Sequence, residues 1–334
     1  MKSPLRASFG AILKSDSSSK DSKSSTPPTT IAAVSKPAYS PHIRDYELIA
    51  DIGGVGDISY LYHAKYTPTG EMVALKYTDL SLSQDYELVD EVIRTIKNAS
   101  MCSHKNILPY HTSFIESERL WSVTPSIGTC SLRGLIRDYF PDGFQDDAVI
   151  ATILRELLEA IVYLHDNHMI HNDVRADNVL LDSKGGVKVT GLRQLVSLTQ
   201  DGGYLKDVFS ILSDNIEWAA PEIMAQHSNF DEKVDIYSFG ITAMELAFGK
   251  TPFDDWSPLK ILLSKLDYDC PGIKTTRTMP ISFMKMVKAC IRKNPKERPS
   301  AKDLLLHPYF NYASPTTDIL YTSIVKHVKE NPKS

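Results

Sequence analysis

Four short stretches of this chain carry residues suited to handling phosphate. Gly53-Gly54-Val55-Gly56-Asp57-Ile58-Ser59 is rich in glycine, and a backbone lacking Cβ atoms can approach a bulky anion closely. About 22 residues further on, Val73-Ala74-Leu75-Lys76 adds a cation, although a lone lysine on a strand is most often a solvated charge. His171-Asn172-Asp173-Val174-Arg175-Ala176-Asp177-Asn178 places a carboxylate and a carboxamide five residues apart. Phosphoryl transfer depends on positioning and on neutralising charge as it spreads over the transferring group, with divalent metal bridging the phosphates. The fourth stretch, Val187-Lys188-Val189-Thr190-Gly191-Leu192-Arg193, begins its last triplet thirteen residues beyond Asn178 and offers no oxygen side chain at Gly191 for such a metal.

The elements that must position these residues follow from periodicity. Short β-type runs are expected at Tyr46–Ile52, Ile58–Ala64, Met72–Tyr77, Ile107–Ile115 and Leu120–Thr124, with Thr67-Pro68-Thr69-Gly70 as a turn between two of them. They make a five-stranded antiparallel unit. Leu88, Val92, Ile93 and Ile96 recur at helical spacing and add one helix between the third and fourth strands. Beyond Ser131 the pattern becomes mainly helical. Val149, Ile150, Ile153, Leu154, Leu157, Leu158, Ile161 and Leu164 form an apolar stripe over Ala148–His165, and a second strong helix runs from about Lys233 to Phe248, stopped by Gly249 and Pro252. Further helices are expected at Leu259–Leu266, Phe283–Ile291 and Ser300–Leu305, the last opened by a serine N-cap.

The 334 residues are 42% apolar, enough for a substantial core. A net charge of −4 gives no basic field for nucleic acid or an anionic membrane. Cys102, Cys130, Cys270 and Cys290 lack C-x-x-C spacing and fit reduced thiols, and no apolar run approaches a membrane span. The expected compartment is the cytoplasm, alternatively also the nucleus. Residues 1–44 contain eleven serines and few large apolar side chains, so this segment is expected to be a disordered tail. Ser40-Pro41 within it has the form of a proline-directed phosphorylation site, a solvated tail being the plainer reading. Residues 45–311 form the expected globular unit, divided into 45–124 and 128–311, and 312–334 is expected to be a polar, frayed tail.

In order and spacing, these motifs resemble the protein kinase family over about residues 46–311. Val73–Lys76 is similar to its third-strand motif, His171–Asn178 to its catalytic loop, and Gly191-Leu192-Arg193 stands where that family has Asp-Phe-Gly. Ala220-Pro221-Glu222, Asp235-Ile236-Tyr237-Ser238-Phe239-Gly240 and Arg298 resemble landmarks of the helical lobe. The resemblance implies an α+β, bilobal fold, in which Glu222 and Arg298 form a buried clamp and Asp235 caps the catalytic-loop backbone. It also assigns the site. Lys76 draws the α- and β-phosphates of ATP, Asp173 accepts the substrate hydroxyl proton, Asn178 binds a second magnesium, and Arg175 keeps a positive charge near the terminal phosphate. Leu61 and Ala74 line the adenine pocket, Thr124 is the gatekeeper, and Pro125 and Ile127 present a carbonyl and an N–H to the base. Two registers fit the glycine-rich loop. One uses Gly54 and Gly56 with Ser59 in third place and Leu61 as the following apolar residue; the other retains Gly53 alone.

Departures from the family pattern decide the functional expectation. Gly191 removes the metal-binding aspartate, Thr95 stands where the helix glutamate should pair with Lys76, and Asn172 replaces the arginine that meets a phosphorylated activation loop. Glu91, one turn before Thr95, could compensate only through a helix shift. A catalytically inactive pseudokinase is therefore expected, with no metal. Arg193 is the candidate to replace the metal's charge with guanidinium donors, allowing ATP to bind without magnesium. Within the family, Glu118–Val123, Tyr110–Phe114 and Ile241–Ala247 are similar to the Sterile-20 group. The Gly-Leu-Arg triplet, Gln194–Leu198 and Leu262–Leu266 look more narrowly like its adaptor pseudokinases (STRAD).

That likeness implies a partner Ser/Thr kinase of the liver-kinase-B type, activated allosterically, and a helical-repeat scaffold of the mouse-protein-25 type. Tyr204, Leu205, Val208, Phe209, Ile211 and Leu212 in the activation segment could offer an apolar docking face or pack internally. The chain ends V-K-H-V-K-E-N-P-K-S rather than in the adaptors' Trp-Glu-Phe, which puts scaffold contact through the tail in doubt and leaves the N-lobe helix face as the other route. The alternative reading is a weakly active Sterile-20-like Ser/Thr kinase using Lys76, Asp173 and Asn178 with unconventional metal arrangement.

Overall fold

The computed structural model describes residues 39–54, 59–81, 96–127, 131–198, 215–225, 230–273, 275 and 277–332. Its N-terminal lobe is one antiparallel sheet of β1 (Tyr46–Gly54), β2 (Ser59–Tyr66), β3 (Glu71–Asp79), β4 (Thr112–Glu116) and β5 (Arg119–Pro125), ordered β1-β2-β3-β5-β4. Register puts Val73 opposite Ala64 and Pro125, and Leu75 opposite Tyr62 and Val123. Since successive strand residues point to opposite faces, Val73, Leu75 and Tyr77 turn into an aromatic-rich cluster with Tyr46, Tyr66, Phe114, Trp121 and Val123. The other face is left for Ala74 and Lys76. This alternation is what aims the lysine away from the sheet's own core.

The fourth strand begins later than its apolar run predicts. Ile107 and Leu108 leave the sheet and join the larger lobe: Ile107 bridges Val189, Leu108 N–H donates to the Val189 carbonyl at 2.9 Å, and Val189 N–H donates to the Asn106 carbonyl at 2.7 Å. Pro109 then prevents a continuous ladder back into the sheet. Helix is described over 96–101, and the rest of the predicted N-lobe helix, with Leu88, Glu91, Val92, Ile93 and Thr95, lies outside the described residues.

In the C-terminal lobe, α1 (Leu132–Tyr139) is capped by Ser131, whose hydroxyl accepts from Gly134 N–H at 3.1 Å. The long α2 (Asp147–Asp166) buries every member of its apolar stripe. β6 (Met169–Ile170) and β9 (Val196–Ser197) pair around the catalytic-loop region, while β7 (Val179–Leu181) and β8 (Val187–Val189) form the hairpin that leads to Gly191. After α3 (Pro221–Met224), the central α4 (Lys233–Phe248) is buried on nearly all sides. It stops at Gly249, which has φ +74° and lies so close to the Pro141 carbonyl that no Cβ fits. α5 (Pro258–Asp267), α6 (Ile281–Cys290) and α7 (Ala301–Leu305) complete the expected helices.

Both ends differ from expectation. Residues 1–38 lie outside the described part, yet Tyr39 and Ile43 pack on the outer sheet face, so the polar tail stops short of residue 44. At the other end, α8 (Asp318–Leu320), a π turn over Tyr321–Val325 and α9 (Lys326–Glu330) are ordered rather than frayed. Leu320, Ile324 and Val325 are fully buried. Leu320, Ile324 and Val328 recur every fourth residue, a helical stripe hidden among polar neighbours that joins the main core.

Candidate functional site

The side of the sheet that carries the candidate site residues follows from strand register. Leu61 lies directly opposite Lys76, and Ala74 lies opposite Thr124, so Leu61, Ala74, Lys76 and Thr124 share one face. β1 carries the glycine-rich segment into the same hairpin, with Gly53 opposite Leu61 and Gly54 opposite Tyr60. Gly56 and the tip of that loop lie outside the described residues, which leaves both motif registers open. β5 ends at Pro125, and the strand leading to Ile127 is tied to β2 through a 3.1 Å bond between the Ser126 hydroxyl and the His63 ring. Among the described residues no backbone carbonyl accepts from the Ile127 N–H.

The catalytic-loop backbone is held from below. Asp235, fully buried at the start of α4, accepts from His171 N–H at 2.8 Å and Asn172 N–H at 2.7 Å, and its carboxylate also meets the His165 ring at 2.9 Å. His171 Nε2 in turn lies 2.9 Å from the Thr190 carbonyl, joining this loop to the residue before Gly191. Asn172 sits at φ +63°, a left-handed conformation that asparagine tolerates better than most residues. Its carboxamide is buried and finds no hydrogen-bond partner among the described residues. Behind the loop, Arg298 makes a bidentate pair with Glu222 at 2.6 and 2.8 Å.

Asp173 is already engaged on both carboxylate oxygens. Oδ2 accepts from the Asn178 amide at 2.7 Å, Oδ1 accepts from the Asn215 amide at 2.8 Å, and the Arg175 guanidinium lies 3.1 Å from Oδ1. Asn178 donates also to the Asp173 main-chain carbonyl at 2.8 Å. Gly191 completes the arrangement. It has φ +80°, and a Cβ there would fall 2.3 Å from Asn178 Cγ and 2.5 Å from its amide nitrogen and oxygen. The Asn178 carboxamide thus fills the space into which an aspartate side chain would begin to grow.

A magnesium ion would find one oxygen side chain fewer here than an aspartate at residue 191 would give. Gly191 brings no oxygen ligand, and Asn178 Nδ2, which donates to Asp173, leaves the Asn178 carboxamide oxygen as the one oxygen it could offer. Arg193 lies in the short turn Leu192–Gln194, its side chain outside the described part. Thr95 and the apolar stretch from Tyr204 to Leu212 are likewise outside it.

Three participants received no site role from the sequence, although Glu245 and Lys265 lie within Ile241–Ala247 and Leu262–Leu266. Asn215 is nearly fully buried five residues before Ala220-Pro221-Glu222, and its contact with Asp173 spans 42 residues of chain. Glu245 accepts from Ala176 N–H at 3.2 Å and Trp218 Nε1 at 3.0 Å and pairs with Arg133 at 3.3 Å; burial pushes its carboxyl up to about 7. Lys265, fully buried, donates to the carbonyls of Ile216, Glu217 and Ala219 at 2.7 to 2.8 Å, and burial lowers its ammonium to about 7. Together they fix residues 215–219, the segment that carries Asn215 to Asp173.

The protein kinase domain family matches residues 46–310. The chain belongs to that family. Within it, the relatives place the chain in the Sterile-20-related group. Mouse STE20-related kinase adapter protein alpha is 34% identical over 325 residues, covering 92% of this chain and 74% of the adapter. Serine/threonine-protein kinase fray2 of Dictyostelium discoideum is 37% identical over 277 residues, covering 82% of this chain and 26% of fray2. Germinal center kinase 3 of Caenorhabditis elegans is 32% identical over 296 residues, 84% of this chain and 49% of that protein. The chain therefore spans a quarter to a half of these two kinases and about three quarters of the adapter. The bilobal α+β kinase fold is present, and among the described residues no helix is long and apolar enough to cross a membrane.

Proposed function

We propose that this kinase-family chain is a pseudokinase adaptor, which docks on and allosterically activates a partner Ser/Thr kinase of the liver-kinase-B type without transferring phosphate itself. A helical-repeat scaffold of the mouse-protein-25 type completes the proposed assembly. The observation that carries this reading is the Asn178 carboxamide occupying the space beside Gly191 while bound to Asp173. Catalysis would need metal at that place, and Gly191 gives it no oxygen ligand. The similarity to STE20-related kinase adapter proteins supports the same conclusion.

ATP is proposed as a structural ligand bound without magnesium. Leu61 and Ala74 would wall the adenine, the Ile127 N–H would donate to its edge, and Lys76 would meet the phosphates. Arg175, beside Asp173, adds positive charge on the C-lobe side. Gly53, Gly54 and Gly56 would cover the phosphates, and Arg193 would supply the charge a metal otherwise brings. By linkage, a ligand bridging the two lobes favours the closed form that a partner recognises.

A thermal-shift titration with ATP, with and without EDTA, tests the nucleotide half of the proposal. Stabilisation insensitive to EDTA is expected. Stabilisation seen only with magnesium would favour the second reading, a weakly active Ser/Thr kinase, which the retained Lys76 and Asp173 and the kinase relatives support.

A further inference from the structure

The segment preceding β1 lies as a strap across the outer face of the sheet. Tyr39 stacks on His111 with ring centroids 4.3 Å apart, and its hydroxyl donates to Glu71 at 2.7 Å. Ser40 N–H donates to the Tyr66 hydroxyl at 3.1 Å, while the Ser40 carbonyl accepts from the Tyr46 hydroxyl at 2.7 Å. The Ser40 hydroxyl donates to the Asp45 carboxylate, and Ile43 N–H donates to Glu116 at 3.0 Å. Three of these contacts end on carboxylates. Such a seat suits a neutral hydroxyl donor and is hostile to an anion.

Ser40 is followed by Pro41, which is exposed, as is His42. The proline biases Ser40 toward the extended backbone that protein kinases bind; the strap's backbone joins the sheet at Asp45, whose carbonyl accepts from Thr67 N–H at 2.9 Å, while residues 39–44 are held through the side-chain contacts above, which local opening can break. We propose that Ser40 is a phosphorylation site for a proline-directed kinase, and that its modification releases residues 39–45 from the sheet. In the transfer, Ser40 Oγ forms a bond to the γ-phosphorus of ATP held by that kinase. The bond from phosphorus to the bridging β,γ-oxygen breaks, ADP leaves, and the hydroxyl proton passes to the modifying kinase's carboxylate base. The product loses the only proton Ser40 Oγ could donate to Asp45 and gains a charge of about −1.5 to −2.

Charged groups facing the site are Asp45, Glu71 and Glu116 from the strap and two strands, against the exposed Arg44; the His42 ring lies 3.9 Å from Glu116. The carboxylates are in direct contact with the strap, so repulsion outweighs capture by Arg44. Release would uncover the edges of Tyr46, Tyr66 and His111, changing the outer surface of the N-lobe independently of the nucleotide cleft.

The test uses the full chain, a purified proline-directed kinase and ATP, with peptide mapping followed by hydrogen exchange over residues 39–46. One phosphate on Ser40 is expected, absent from Ser40→Ala and strongly reduced in Pro41→Ala, with exchange across the strap accelerated roughly tenfold or more. In Asp45→Asn, which keeps an acceptor for the unmodified hydroxyl but loses the charge, phosphorylation should accelerate exchange far less. Failure to label Ser40, labelling with unchanged exchange, or slower exchange through capture by Arg44 would each overturn the proposal. So would equal acceleration in phosphorylated Asp45→Asn.

Discussion

Gly191→Asp restores in name the residue that active kinases use for metal, and the structure predicts that it fails. The new side chain would have to adopt φ near +80°, and its Cβ would collide with the Asn178 carboxamide. A left-handed conformation costs an ordinary residue about 1–2 kcal/mol. Moving Asn178 aside breaks its bond to the Asp173 carboxylate, worth about 1.5–3 kcal/mol, and its bond to the main-chain carbonyl, worth about 0.5–1.5 kcal/mol. The sum is a loss of about 3–6.5 kcal/mol, with no appearance of phosphotransferase activity. Urea unfolding followed by tryptophan fluorescence reads the loss. Gly191→Ala should lose nearly as much as the aspartate, because backbone and collision are common to both. In an Asn178→Ala background the cost of Gly191→Asp should fall to about 1–2 kcal/mol, the left-handed backbone remaining. Gly191→Asp within about 0.5 kcal/mol of the parent, or gaining magnesium-dependent transfer, would refute the reasoning.

Lys265→Ala orphans three carbonyls, each costing about 1–3 kcal/mol, so a loss of at least about 3 kcal/mol is expected, with faster hydrogen exchange across residues 215–219. Glu245 holds its proton more tightly when folded than unfolded, so its contribution to stability is complete below pH 4.5 and is lost as pH rises toward about 7. Glu245→Gln should therefore gain on the parent by about 1–3 kcal/mol between those pH values, read from urea midpoints across pH. Truncation after Ala313 removes buried Leu320, Ile324 and Val325, each worth about 1.5–3 kcal/mol, and should lower stability by at least about 4 kcal/mol in the same assay.

The legible parts of this fold are those in which one local pattern determines the outcome. Alternation sets the faces of β3, an unbroken stripe sets α2, and Gly249 with Pro252 beyond it ends α4 at Phe248. Ile107 shows the opposite case: its run reads as strand, but the partner that captures it is Val189, distant in sequence. The C-terminal helices were hidden because their stripe is short and interrupted by a π turn. At the site, motif spacing identified Lys76, Asp173, Asn178 and Gly191 as the positions to consider. It could not show that Asn178 fills the space beside Gly191, because that depends on backbone angles at one residue and a rotamer at another. Asn215, Glu245 and Lys265 act through tertiary contacts to main-chain groups or unmatched side chains, which leave no spacing to read.

The central claim is that output is conformation and not phosphate. It is tested most directly by measuring transfer to a peptide substrate by a purified liver-kinase-B-type partner with its scaffold, in the presence of this chain or its isosteric Asp173→Asn variant. The account predicts equal activation by both and no labelling of the peptide by this chain alone. Activation abolished by Asp173→Asn, or peptide labelling by the isolated chain that the variant eliminates, would contradict it.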